Sequence, residues 1–355
     1  MLVVDDSVVI RRLVTQALSQ HPAIEVVGVA ANGTLSLQRI AQFTPDVITL
    51  DIEMPDMNGL EVLQHIRRDY PSTRVIMFST LTERGASITL EALTLGADDY
   101  VPKTTAYFSG ETPIAGLQQV LIPKITQFFQ LPAGPTTNGA RPEQGRTPKV
   151  SARPHVSAGV PPKVVVIGVS TGGPTALGEI LPRFPSAFPL PILIVQHMPP
   201  LFTRLLGERL NATCALRVEE ARQGTKVESG RILIAPGDYH MAVAPTTEGV
   251  GVILDQSAQQ NFCRPAVDVL FKSTAEVYGA SAIAVVLTGM GQDGLRGAEI
   301  LRANGATIFA QDEETSIVWG MPGAVVNAGL ADRVLPLQEM VPEILRLSKG
   351  IGGTN

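Results

Sequence analysis

The sequence is poor in several things that would each announce a class of function. It has only two cysteines, Cys214 and Cys263, too few for a disulfide framework and in no metal-ligand spacing, so they read as buried thiols in a reducing compartment. It has no basic stripe: 28 Lys and Arg face 33 Asp and Glu, for a net charge of −5, which speaks against a nucleic-acid-binding surface. No run approaches the ~18 apolar residues of a membrane span, and Met1-Leu2-Val3-Val4-Asp5-Asp6 lacks the basic-then-apolar order of a secretory signal. A cytoplasmic protein with no nucleic-acid partner and no membrane insertion is expected. Histidine is scarce too, with five residues, and that scarcity narrows the search for a base.

What is present points to two folded domains. Hydrophobic residues make up 45% and charged residues 17%, enough apolar mass for buried cores and too little charge for disorder. A length of 355 residues exceeds what one core usually supports. Between Leu131 and Lys163 the texture changes to LPAGPTTNGARPEQGRTPKVSARPHVSAGVPP, with seven Pro, four Gly and no aromatic, the composition of a linker. The stretch before it carries −5, the linker +3 and the remainder −3. We therefore expect a domain over 1–120, a helix end and linker over 121–162, and a second domain over 163–350.

Residues 1–130 alternate short apolar runs with amphipathic stretches: LVV and a helix from Ser7, IEVVGVA and a helix near 34–43, DVITLD and 59–70, RVIMFS and 85–95, DDYV and 114–129. Five strand–helix pairs imply a doubly wound parallel sheet, whose site lies at the carboxyl ends of the strands. Those ends carry Asp5, Asp6, Asp51, Ser79 and Lys103. The second domain repeats the alternation with KVVVIGVSTGG, PILIVQHMPP, RILIAPGDYH, a hairpin over 241–254, AIAVVLTGMGQDG and ATIFAQD, with helices near 175–181, 201–210, 267–278 and 295–303. It reads as a second α/β sheet, mostly parallel, with an antiparallel addition.

Three carboxylates at two strand ends repel unless a cation neutralises them, and an oxygen-only set suits Mg²⁺. Lys103 would add a point charge and Ser79 a hydroxyl, so a phosphoryl group on Asp51 could be held there; singly, each Asp reads equally well as a solvated turn former. The ordered set VVDDS, DIEMPDMNG, FST and GADDYVPK resembles the flavodoxin-like receiver domain of two-component response regulators. The resemblance implies Asp51 as phosphoacceptor, Mg²⁺ held by Asp6, Asp51 and the backbone carbonyl of Glu53 with support from Asp5, Lys103 on the phosphoryl group, Ser79 as switch hydroxyl with Thr80 as an alternative, and Tyr100 as the moving aromatic. The chain departs from that pattern at Thr104, where receivers usually have Pro, and in having only Met1–Val4 before Asp5. The latter leaves either a short first strand or a true start further upstream.

In the second domain, Gly168-Val169-Ser170-Thr171-Gly172-Gly173 joins an expected strand to an expected helix. As a dinucleotide fingerprint it fails, since Ser170 stands where Gly is needed. It fits a nucleophile elbow, G-x-S-x-G, and also a plain Gly-rich turn. A nucleophilic serine needs a base and an orienting acid. His197 ends the strand 192–196, and Asp293 lies just past the strand 283–287, so all three fall on one sheet edge. A strand-end Asp alone is usually a turn or N-cap residue, and it is the joint placement of the three that favours the triad.

The series IGVSTGGPTAL, VQHMPPLFT, IAPGDYHM, NFCRPAVDVLF, LTGMGQDG and VWGMPGAV resembles the catalytic domain of the chemotaxis protein-glutamate methylesterases, the CheB family. The resemblance implies Ser170 as nucleophile, His197 as base, Asp293 as orienting acid, the N–H of Met290 with Thr171 as oxyanion donors, and His240 and Arg264 near the substrate cleft. The last two read equally as a structural His and a surface Arg. NFCRP replaces the NRHRP common in the family, placing Phe262 and Cys263 where polar residues are usual. The implied activity is hydrolysis of glutamate methyl esters on methyl-accepting chemoreceptors, with glutamine deamidation beside it, under control of a receiver phosphorylated by the chemotaxis histidine kinase CheA. No cofactor is expected in the hydrolase domain, and the protein is expected to be a monomer. The competing reading is a response regulator whose output domain is non-catalytic or acts on another ester or amide.

Overall fold

The computed structural model describes residues 1–103, 113–129 and 160–348. It divides into two compact units, Met1–Lys149 and Val150–Asn355. The expected linker core and Thr104 lie outside the described residues.

In the first unit, strands β1 (Leu2–Val4), β2 (Gly28–Ala30), β3 (Val47–Asp51), β4 (Arg74–Thr80) and β5 (Asp99–Lys103) pair in parallel in the order β2-β1-β3-β4-β5. The helices are α1 (Val8–Leu18), α2 (Gly33–Phe43), α3 (Gly59–Asp69), α4 (Glu83–Thr94) and α5 (Pro113–Thr126). Polar residues start them: Ser7, Asn32, Asn58 and Thr82 each accept from a first-turn N–H, and Asn58 completes a capping box with Glu61. The central strands are buried apolar runs, and Val3, Ile76, Phe78 and Val101 pack on Val14, Leu18, Leu117 and Leu121. The expected seven-residue second strand is reduced to Gly28–Ala30, because β1 offers only Leu2–Val4 to pair with it. Helix α4 begins two residues earlier than expected because Thr82 caps it through the Gly85 N–H.

The second unit is built on a seven-stranded, all-parallel sheet of order β14-β13-β12-β6-β7-β9-β8. Its strands are β6 (Val164–Val169), β7 (Ile192–Gln196), β8 (Arg217–Glu220), β9 (Arg231–Ile234), β12 (Ala282–Val286), β13 (Thr307–Gln311) and β14 (Arg333–Leu335). The antiparallel addition is a separate hairpin of β10 (His240–Thr246) and β11 (Gly249–Asp255). Helices α6 (Gly173–Ile180), α7 (Phe202–Asn211), α8 (Val267–Tyr278), α9 (Leu295–Ala303), α10 (Met321–Asn327) and α11 (Leu337–Ser348) complete it. The ranges of α8 and α9 are those expected; β8, β14, α10 and α11 are additions. From β6 the chain winds outward through β7, and it later returns to the other side of β6 as β12. This reversal makes the crevice where ligands bind in such sheets.

Candidate active site and phosphoacceptor site

The register of the second sheet explains why three distant residues meet. Val169 pairs with Gln196, and Gly168 with Val286. Ser170 and His197 are therefore the first residues beyond neighbouring strand ends, and the loop after β12 runs beside them. Backbone bonds tie these ends: Ser170 N–H donates to the Thr288 carbonyl at 3.0 Å and His197 N–H to the Val169 carbonyl at 3.2 Å. Gly172, at φ 78°, turns the chain into α6. Gly289 is held so close that a Cβ there would stand 2.8 Å from Ser170 Cβ and 2.5 Å from Met321 Sδ, so only glycine admits this approach.

His197 Nε2 donates to Asp293 Oδ2 at 2.8 Å, which leaves Nδ1 as the nitrogen able to take a proton. Toward Nδ1 stands the Cys263 thiol, 3.6 Å away. Among the described residues no hydrogen bond joins Ser170 Oγ to the ring, an arrangement common in the absence of substrate. Burial works against a charged His197, but the hydrogen bonds of Asp293 and Cys263 and their charges outweigh it, raising the imidazole from 6.5 to about 10.

Asp293 is deeply embedded. Burial opposes its charge, yet His197, the Val267 N–H and the Asp268 N–H hold its carboxyl below the usual range. Those two N–H groups belong to the first turn of α8, at 2.6 and 3.1 Å. In return, Asp268 Oδ1 accepts from Gly294 and Gly297 at the start of α9, at 3.0 and 2.7 Å. The two carboxylates thus cap each other's helices. Asn261 spans them, donating to Asp268 Oδ2 and Asp293 Oδ1, each at 2.9 Å. Burial, first, and the nearby Asp293 charge raise the Asp268 carboxyl.

The loop carrying Met290 is clamped from below. Thr288 Oγ1 donates to the Thr171 carbonyl at 2.9 Å and accepts from Val318 N–H at 3.0 Å, while Gly289 N–H donates to the Val318 carbonyl at 2.9 Å. The Met290 N–H has no acceptor among the described residues and so remains available to an oxyanion. Gln196 Nε2 donates to the Ser170 carbonyl at 3.0 Å. Gln196, Asn261, Asp268 and Thr288, unanticipated from the sequence, hold this arrangement together. All four lie inside the quoted motifs, but nothing in their spacing distinguishes them from neighbours.

His240 and Arg264 stand differently. His240 is fully buried, accepting from Ala266 N–H at Nδ1 and donating from Nε2 to the Ala258 carbonyl. Arg264 gives Nε and an NH₂ group to Asp238 Oδ1, at 3.0 and 2.6 Å, and its other NH₂ group to the Gln256 and Ser257 carbonyls. Both side chains brace the loop that presents Asn261, Phe262 and Cys263.

In the first unit, carboxylate oxygens of Asp5, Asp6 and Asp51 lie within 4.8 Å of one another. Lys103 Nζ reaches Asp5 Oδ2 at 2.8 Å and Asp51 Oδ1 at 2.7 Å. One ammonium against three carboxylates leaves negative charge uncompensated, and an all-oxygen donor set of this kind fits Mg²⁺. Burial, together with the Asp5 charge, raises Asp51 from 3.8 to about 6 despite Lys103. Gly59 lies against this site, where a Cβ would approach the Asp51 carbonyl oxygen to 2.2 Å. Glu53 is exposed just beyond Asp51. The Ser79 hydroxyl is turned toward α4, donating to the Gly85 carbonyl and accepting from Thr89. Thr80 Oγ1 instead lies 3.1 Å from Thr82 Oγ1. Tyr100 is buried, with the Lys124 ammonium 5.7 Å from its ring centre.

Comparison with known proteins agrees with both halves. Residues 165–344 match the CheB methylesterase family and residues 1–107 the response regulator receiver domain. A protein-glutamate methylesterase/protein-glutamine glutaminase of Trichodesmium erythraeum is 46% identical over 345 residues, covering 97% of each chain. One from Nocardioides sp. is 47% identical over 355 residues, covering 97% of this chain and 94% of that one. The crystal structure of the Thermotoga maritima CheB methylesterase catalytic domain is 46% identical, with a TM-score of 0.52, and covers 53% of this chain and 100% of that one. With relatives matched over nearly its full length, the chain belongs to the CheB methylesterase family, carrying a response regulator receiver domain ahead of a hydrolase domain.

Proposed function

We propose that this protein hydrolyses glutamate methyl esters on chemoreceptors, and deamidates glutamines there, under control of its receiver domain. The observation that carries the reading is the His197–Asp293 pair set at the end of β7 beside the Ser170 turn. Asp293 holds Nε2, so Nδ1 takes the Ser170 proton as the serine oxygen attacks the side-chain carbonyl. The tetrahedral oxyanion is received by the Met290 N–H, with Thr171 as second donor. The imidazolium gives its proton to the departing methoxide oxygen, which leaves as methanol, or to the departing amide nitrogen of glutamine, which leaves as ammonia, and water then frees the glutamate by the reverse sequence. His240 and Arg264 act by bracing the substrate-side loop.

In the receiver, Asp51 accepts a phosphoryl group; Asp6, Asp51 and the Glu53 carbonyl, supported by Asp5, would hold Mg²⁺ beside it. When bound, the ion neutralises charge on the incoming phosphoryl group. Lys103 holds the phosphoryl oxygens, and Ser79 and Tyr100 report the change. The phosphodonor is the chemotaxis histidine kinase CheA, and the setting is the cytoplasm, where the chain acts as a monomer. The domain limits 1–120 and 163–350, joined by 121–162, accommodate this division of labour. The test is methanol release from methylated chemoreceptor: the full chain releases it, Ser170→Ala does not, and a generic ester is a poor substitute. Undiminished release by Ser170→Ala would sink the reading.

A further inference from the structure

Cys263 is a nucleophile that this scheme leaves unused, and it is not isolated. Its Sγ lies 3.6 Å from His197 Nδ1, and His197 Nε2 is held by Asp293 at 2.8 Å. Thiol, imidazole and carboxylate thus stand in the order that activates cysteine nucleophiles. The sulfur meets the same ring nitrogen whose lone pair Ser170 needs. Access is open, since Cys263 is only half-buried and residues 256–262 ahead of it are all exposed, Phe262 at 97%. Cys214 offers an internal contrast: it is also half-buried, but burial raises its thiol, and among the described residues no base is bonded to it.

Taking His197 as the base for Ser170, we propose that Cys263 is a thiol-modification site sharing that base, oxidised by small peroxides to a sulfenic acid that halts the esterase. The thiol passes its proton to Nδ1, and the sulfur attacks one peroxide oxygen. The O–O bond breaks as the S–O bond forms, and the departing hydroxide takes the imidazolium proton to leave as water. Sulfur is oxidised, peroxide is reduced, and the ring ends neutral. The added oxygen then occupies the space beside Nδ1, so Ser170 cannot deliver its proton there. A thiol reductant reverses the state.

The full chain, treated with hydrogen peroxide and then with a sulfenate-trapping diketone, reports the site by peptide mass spectrometry. Cys263 is expected to trap about tenfold faster than Cys214, an advantage removed by His197→Gln. Equal trapping of the two cysteines in the native chain overturns the proposal without recourse to any variant. In parallel, peroxide should stop methanol release from methylated chemoreceptor, a reductant should restore it, and Cys263→Ser should keep its own starting rate under the same treatment. Loss of rate in Cys263→Ser as fast as in the native chain also overturns it. Trapping at Cys263 does not involve Ser170, so a failure of the triad reading, seen as undiminished release by Ser170→Ala, is distinguishable from a failure here.

Discussion

Burial and the Asp5 charge raise the Asp51 carboxyl from 3.8 to about 6, a displacement worth about 3 kcal/mol against the charged form. The folded state therefore prefers the protonated acid. The penalty is absent below the unfolded value and complete above the folded one, so the native chain loses stability as pH rises through this window. Asp51→Asn in the metal-free full chain should melt higher than the native protein at about pH 7.5, with a gap that narrows toward about pH 5. Thermal melts at both values check this, and a gap independent of pH would count against the assigned cause. Excess Mg²⁺ should close it by stabilising the native chain.

His197 obeys the opposite sign. Asp293 and Cys263 stabilise its charged form, so the free base grows as pH rises toward about 10. Methanol release should climb through the alkaline range, and Cys263→Ala should move that limb to lower pH. An unmoved limb would show that the thiol does not share the ring. Asn261 acts one step behind: losing its bond to the Asp293 carboxylate should cost about 2 kcal/mol, a fall in kcat of about thirtyfold, with KM little changed.

At the scale of elements, the site is a product of strand ends and helix starts. The mutual capping of α8 and α9 by Asp293 and Asp268 makes Asp293, the partner of His197, part of the packing of two helices. Gly289→Ala should drive the Met290 loop off Ser170, lowering kcat about a hundredfold while the sheet stays folded; unchanged far-ultraviolet dichroism with lost methanol release checks it. These elements were legible in unequal measure. The ranges of α8 and α9 follow from apolar periodicity alone, and Ser170, His197 and Asp293 from their place at strand ends. The short β8 and β14 were not legible, since Arg217–Glu220 and Arg333–Leu335 carry too few apolar residues for any period. VWGMPGAV was visible as a motif, but its work as a clamp on the Gly289 turn depends on a backbone bond from Gly289 to Val318.

For the whole molecule, the two units are separated in sequence by a Pro- and Gly-rich stretch. If phosphorylation of Asp51 shifts a population between restrained and active arrangements, a small-molecule phosphoryl donor with Mg²⁺ should raise methanol release by the full chain. It should leave the rate of Asp51→Asn unchanged. Equal rates for the native chain with and without donor would reject the gating.

The class of both units can be read in the order of residues, and so can the strand-end positions of Ser170, His197, Asp293 and Asp51. Strand-end position is a local property, and the motifs record it residue by residue. Which nitrogen of His197 meets Asp293, the place of Cys263 at the other, and the commitment of Arg264 to Asp238 are set by packing alone. Each is a contact between segments far apart in the chain, made by side chains whose direction is set by the loops that hold them. Periodicity and spacing carry no information about that direction, whereas packing does.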